Sequence, residues 1–384
     1  MKGTWWVRPE QLDDAQRKVI ALPPDGNYLV TGPPGSGKTN LLVLRADYLH
    51  RSGRPNLIVL VFNRTLEEFI AHCPGPYGVP REKLSTLQRW QMQLINQLGG
   101  VPSAASKFVQ ARQENCEILH GLVAAERLRG IYDVILLDEA QDYWAEELDL
   151  IFSLGVNVFA VADSRQRIYD HSDSIPSLLS RCDTTELQFH YRNGHQICRV
   201  ADGVGSNWAD YVQMLPASQY NERAVPSRAE LVECVDVSDQ LRRVLSALGL
   251  QIKAYPDEMI GILCARRNEL ALARDALRSS DYAPVTVYQA SDEGYLPFGS
   301  DTRVCVCSVH GAKGLEFRAV HLVGAEYLRN FRRLQRRMAY TGITRAKSAL
   351  DVYYSATIPH YLEGAFAAIA PPATAPRIED LFER

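Results

Sequence analysis

Several features that would announce a function are missing from this chain of 384 residues. It has no basic excess. The formal net charge is −3, so any nucleic acid must be met by a local patch or groove. None of the eight cysteines stands in a CxxC pair, which argues against a zinc site or cluster and for buried thiols in a reducing compartment. The opening "MKGTWWVRPEQLDD" has no apolar signal core, and no apolar run approaches the ~20 residues that cross a bilayer. No membrane partner and a cytoplasmic location are therefore expected. Internal repeats, low-complexity tracts and nuclease motifs are also missing.

What is present is an ordinary globular composition, 46% hydrophobic and 23% charged, with a length that favours two domains. Short apolar runs alternate with helical patterns. "NYLVTG", "NLIVLVF", "YDVILLDEA" and "VNVFAVAD" form one series. "AELVECVDV", "EMIGILCA", "TRVCVCSVH", "RAVHLVGA" and "ALDVYYS" form a second. Such alternation predicts an α/β fold of mostly parallel sheets with helices on both faces. The linker-like "MLPASQYNERAVPSR" lies between the series. We expect a first domain over 1–205, a second over 206–370 and a flexible tail over 371–384. About 88–129 reads as a short helical insert in the first domain.

The chemistry begins at "GPPGSGKT", a P-loop pattern entered by an apolar strand and left by a helix. Gly32, Gly35 and Gly37 allow backbone N–H groups to turn in on phosphate oxygens. Lys38 reaches toward β- and γ-phosphates, and Thr39 offers a hydroxyl to Mg²⁺. The helix adds its positive N-terminus. In "VILLDEAQD", Asp138 ends a buried strand, where ligands bind in open α/β sheets. It is a candidate to hold Mg²⁺ through water, with Glu139 as the base that activates water. That pair favours ATP hydrolysis over phosphoryl transfer to another substrate.

The order of motifs then resembles superfamily 1 helicases of the UvrD/Rep/PcrA type. "LDDAQRKVI" is similar to the Q motif, "LVFNRTL" to motif Ia, "LSTLQRW" to Ib, and "LLDEAQD" to II. "VADSRQRIYD" is similar to III, "FHYRNGHQI" to IV, "SVHGAKGLEF" to V and "RRMAYTGITRAKSAL" to VI. The resemblance implies two RecA-like P-loop NTPase domains with the ATP cleft between them. It implies Gln16 on the adenine edge, Tyr191 stacked on the adenine, and Gly314 and Glu316 in the nucleotide site, with Glu316 at the ribose. Gln166 is implied at the γ-phosphate, and Arg192 and Arg345 as arginine fingers. Phe62, Asn63, Tyr169, His171 and His310 are implied to touch single-stranded DNA, although Phe62 and Tyr169 taken alone read as core residues.

The departures are also informative. His171 stands where a second aromatic is usual, and Ser308 where Thr is usual. Leu334 and Gln335 replace an acidic pair. The spans 88–129 and 271–301 are too short for the inserted subdomains of the family. The expected protein is thus a stripped, DNA-dependent ATPase that translocates 3′→5′ on single-stranded DNA. The other expectation left open is an ATP-gated, DNA-sensing subunit serving a nuclease or other effector. Arg329, Arg332, Arg333, Arg336 and Arg337 recur at helical spacing, either as a solvated face or as a contact for nucleic acid or an acidic partner.

Overall fold

The computed structural model describes residues 6–72, 77–163, 174–209, 211–290, 294–329 and 333–369. The first six strands are β1 (Tyr28–Thr31), β2 (Leu57–Val61), β3 (Leu84–Thr86), β4 (Tyr132–Leu137), β5 (Gly155–Ala162) and β6 (Asp183–Glu186). They form one sheet in the order β3-β2-β4-β5-β1-β6, and every pairing is parallel. Seven helices accompany it: α1 (Asp14–Ile20), α2 (Lys38–Arg51), α3 (Arg64–His72), α4 (Leu87–Gln97), α5 (Phe108–Ala125), α6 (Ala145–Leu154) and α7 (Ser174–Leu179). The helical insert expected after Gln88 is the pair α4–α5.

Strand β2 shows why this sequence makes a parallel sheet. All five residues of "LIVLV" are buried, because helices cover both faces. Alternating side chains feed two cores: Val59 and Val61 join one apolar cluster, Ile58 and Leu60 another.

After α8 (His195–Gly205) comes the second sheet, with β7 (Arg228–Glu233), α9 (Val237–Ala254), β8 (Ile260–Cys264), α10 (Arg267–Arg278), β9 (Thr286–Gln289), β10 (Val304–Ser308) and β11 (Phe317–Val323). Helix α11 (Arg333–Ile343), β12 (Ala346–Tyr354) and α12 (His360–Ala367) complete it. The order is β7-β12-β11-β8-β10-β9, again parallel throughout. Two six-stranded parallel sheets of this kind are consistent with the expected pair of RecA-like domains.

Helix α8 lies within the first expected domain by number, yet it packs on β7, β12, α11 and α12. Gly203 lets the α8–α12 contact close, since a Cβ there would meet the Ala365 backbone at 2.8 Å. The linker-like stretch is tied down as well. Asp202 accepts from the Met214 and Leu215 amides, and Glu222 accepts from those of His195 and Ser227. No helix among the described residues is long and apolar enough to cross a membrane. The tail beyond Ile369 lies outside the described residues.

Inside the second sheet, His321 of β11 is fully buried, with Nε2 2.8 Å from Gln251 Oε1 and Nδ1 3.1 Å from the Tyr353 hydroxyl. Burial holds the imidazole down at about 4, against the upward pull of Asp351. The unfolded chain, near the ordinary value of about 6.5, binds a proton that the folded chain refuses. The stabilisation is therefore present above pH 6.5 and lost as pH falls toward 4, by roughly 3 kcal/mol. Urea unfolding at pH 7 and pH 4.5 should show this loss, and His321→Gln should flatten it. An unchanged pH slope in that variant would count against the assignment.

Candidate nucleotide cleft and nucleic-acid groove

The loop from β1 to α2 needs glycine at two bends. Gly35 and Gly37 have φ of +79° and +84°, in the left-handed region. Gly35 also packs so close to Arg192 that an added Cβ would lie 2.6 Å from that residue's Cβ. At Gly32 an added Cβ would lie 2.9 Å from Leu187 Cβ. Lys38 folds its ammonium back over this loop. It donates to the carbonyls of Gly32 and Pro33 at 2.9 and 2.8 Å, and lies 3.9 Å from Asp163 Oδ2.

Thr39 Oγ1 donates to Asp138 Oδ1 at 3.1 Å. Asp138 Oδ2 is buried with no hydrogen-bond partner. Burial and the Glu139 carboxylate push the Asp138 carboxyl up. An orphaned, dehydrated carboxylate oxygen beside a hydroxyl suits a hard divalent cation, and Mg²⁺ commonly takes one or two carboxylates plus phosphates. These residues fit the cation.

Glu139 sits at φ +50°, a conformation that costs a non-glycine residue about 1 kcal/mol or more. Gln141 holds it there. The Gln141 amide donates to Glu139 Oε2, while its carbonyl oxygen accepts from the Asp163 amide at 2.9 Å.

The opposite wall comes from the crossover and the second sheet. Gly35, Gly37, Lys38, Thr39 and Glu139 line one small cleft with Arg192, Gly314, Glu316 and Arg345. Arg192 is ion-paired to Glu316 and donates to the Thr344 carbonyl at 3.2 Å. Burial pushes the Glu316 carboxyl up, but Arg192 and then Lys347 outweigh it, so the net shift is downward. Arg345 is 1% exposed and donates to the Thr341 and Leu315 carbonyls. Burial first, then the Arg192 charge, lowers its pKa to about 10. Gly314, at φ +84°, meets Leu66 of the first sheet's side.

Gln16 is buried, with Nε2 donating 3.0 Å to the Ser36 carbonyl and Oε1 accepting from Asp13. The hydroxyl of half-exposed Tyr191 donates to Asp13 as well. Gln166, Tyr169 and His171 lie outside the described residues.

A second concavity, a groove of roughly 1070 Å³, spans both sheets' sides. It brings Phe62, Asn63 and His310 together. Six arginines line it, and no aspartate or glutamate does among the described residues. Arg329, Arg336 and Arg337 do not line this groove. Arg336 donates to the Val204 carbonyl and lies over Tyr361, while Arg337 lies over Trp208. Those two half-buried side chains pack against α8, α12 and their surroundings, while Arg329 is exposed. Arg332 lies outside the described residues.

Sequence reasoning assigned no role to Lys313. It is 0% exposed, and its ammonium ion-pairs with Asp142 and lies 3.5 Å from Glu139 Oε2. Asn63 Nδ2 donates to the Lys313 carbonyl at 2.6 Å. Its position inside "HGAKGLEF" was a usable signal, but its partners are distant in sequence.

A P-loop facing two arginines across paired parallel sheets defines a two-domain P-loop NTPase architecture. Residues 303–353 match the model of the UvrD-like helicase C-terminal domain. A search of curated proteins returns no match. Among solved structures, the C-terminal domain of a possible DNA helicase from Lactobacillus plantarum WCFS1 is 19% identical. That match covers 47% of this chain and 96% of that one, at a TM-score of 0.34. The PRRSV helicase is 14% identical, with 88% of this chain matching 54% of that one at a TM-score of 0.35. The chain thus spans about half the length of the latter. At these TM-scores neither likeness bears on the argument.

Because Lys313 joins the two halves, Lys313→Met removes the ammonium from a buried acidic pair. Chemical denaturation should show a loss of about 3–5 kcal/mol, with partial recovery in Lys313→Met/Asp142→Leu. A single variant as stable as the parent would show that the pair contributes little to holding the halves together.

Proposed function

We propose that this UvrD-like protein is a DNA-dependent ATPase that moves on single-stranded DNA. The observation that carries the reading is the cleft in which Lys38, Thr39 and Glu139 meet Arg192, Glu316 and Arg345. A groove lined by six arginines, of which Arg89, Arg112, Arg266 and Arg274 are ion-paired to acids outside the lining, lies on the other side of the same junction and supports it. The functional boundary falls near Gly194, because its amide donates to the Lys347 carbonyl and α8 follows with the second sheet.

ATP is the substrate. The P-loop amides and Lys38 bind its phosphates, and Gln16 and Tyr191 flank the base. Thr39 and Asp138 would hold Mg²⁺, which would supply neutralisation of phosphate charge. Glu139 takes the proton of the attacking water. Its strained backbone and Gln141 fix the direction in which it accepts. Arg192, on the crossover, and Arg345, beside the second sheet, both face the P-loop across the cleft, so they reach the γ-phosphoryl group together. Their guanidinium forks then meet charge building on the equatorial oxygens. Glu316, relieved of Arg192 by the phosphates, turns to the ribose. Gln166 senses the γ-phosphate in this reading, and the family resemblance sets the direction as 3′→5′.

The test is ATP hydrolysis by the purified chain with single-stranded DNA, duplex DNA, single-stranded RNA or no polymer. Single-stranded DNA should stimulate it most. Negligible turnover with every polymer would favour the partner-dependent sensing subunit instead. Lys38→Ala should reduce turnover to background. Glu139→Gln should keep nucleotide binding while lowering kcat about 10²–10⁴-fold. Full turnover in either variant would sink the mechanism.

A further inference from the structure

The groove is asymmetric in its chemistry. On the second sheet's side, α10 and the residue before it contribute Arg266, Arg267 and Arg274. Arg266 is neutralised by Glu269 at 2.6 Å. Arg267 has no acidic partner among the described ion pairs. On the facing side, α4 and α5 contribute Met92 and Phe108, which are 40% and 46% exposed. Large apolar side chains left in water beside cations call for an occupant that is itself half apolar and half anionic. A single strand has that character, with flat bases on one edge and phosphates on the other. A duplex hides its bases and would leave Met92 and Phe108 in water.

A third element points the same way. Tyr295, in the stretch between β9 and β10, lines the groove with φ at +54°. A bulky aromatic in the left-handed region is a genuine outlier, and such strain gathers at ligand sites. The Arg64 guanidinium lies 5.3 Å from its ring centroid. That contact holds the ring at the groove lining. Phe108 and Tyr295 thus line one trough, each on a segment separate from the motifs that build the nucleotide cleft.

We propose that Phe108 and Tyr295 are base-stacking residues that clamp a single DNA strand, with its phosphates toward Arg267 on α10. This rests on the reading of the groove as a single-strand site and adds which elements grip the strand and by which edge. The two short segments, α4–α5 and the β9–β10 connection, do the gripping.

The experiment measures fluorescence anisotropy of the full chain with two labelled oligomers of about 16 nucleotides, within the range of such sites. One is oligothymidylate. The other carries the same phosphates on abasic sugars. The parent should bind the thymidylate more tightly. Phe108→Leu keeps an apolar surface without a π face, and Tyr295→Asn keeps a residue that tolerates positive φ. Each should cut the preference for thymidylate by about 5- to 100-fold, the loss of one stacked base. Arg267→Ala should weaken both oligomers alike and reduce the salt slope by about one. If both aromatic variants keep the parental preference, stacking by these residues is overturned while the single-strand reading stands. If the parent binds neither oligomer, the single-strand reading itself falls.

Discussion

The burial of one ammonium group governs how the two halves sit. Lys313 leaves the second sheet's side and ends among carboxylates of the first, with no exposure to water. Such a charge is tolerable only while Asp142 and Glu139 stay against it, because either side left behind would be buried and uncompensated. The attraction and the desolvation cost nearly cancel in pairs of this kind. That balance makes the pair sensitive to any separation that would let water return to the ions.

The same stretch of chain serves both faces of the junction. His310 and Gly311 line the groove, Lys313 meets the carboxylates, and Gly314 and Glu316 line the cleft. Asn63, itself on the groove, grasps the Lys313 carbonyl. A displacement of the groove wall therefore reaches Glu139 through bonded atoms and one ion pair, without any long relay. This is a shared element biased from two sides, the physical basis on which coupling between sites rests.

Much of this was legible in the sequence because local spacing sets it. The P-loop reads as a contiguous word, since a glycine-bent turn between a strand and a helix is built from neighbours. The parallel sheets were legible from apolar runs such as Leu57–Val61, buried on both faces. What escaped is long-range. Nothing in "HGAKGLEF" alone says that Lys313 pairs with Asp142, 171 positions away. Nothing in the arginine run says that Arg336 packs between Val204 and Tyr361. Helix α8 was assigned by its number to one side, but an amphipathic helix belongs wherever its apolar stripe finds cover.

The crossover has a mechanical consequence. All six strands of the first sheet precede it and all six of the second follow, so the backbone passes between the halves once. It is pinned close on either side. The Tyr191 amide binds the Gly35 carbonyl at 3.1 Å, and the Gly194 amide binds the Lys347 carbonyl at 2.8 Å. Three residues reach about 10 Å at full stretch, so the pivot is short and stiff. It also lies on the rim of the cleft, since Arg192 lines that cleft and no residue from 187 to 194 lines the groove. A hinge placed at one edge moves the far edge most. A turn about it too slight to alter the cleft by more than a bond length would carry the groove edge further, so a small displacement on one rim would be read out as a larger one on the other.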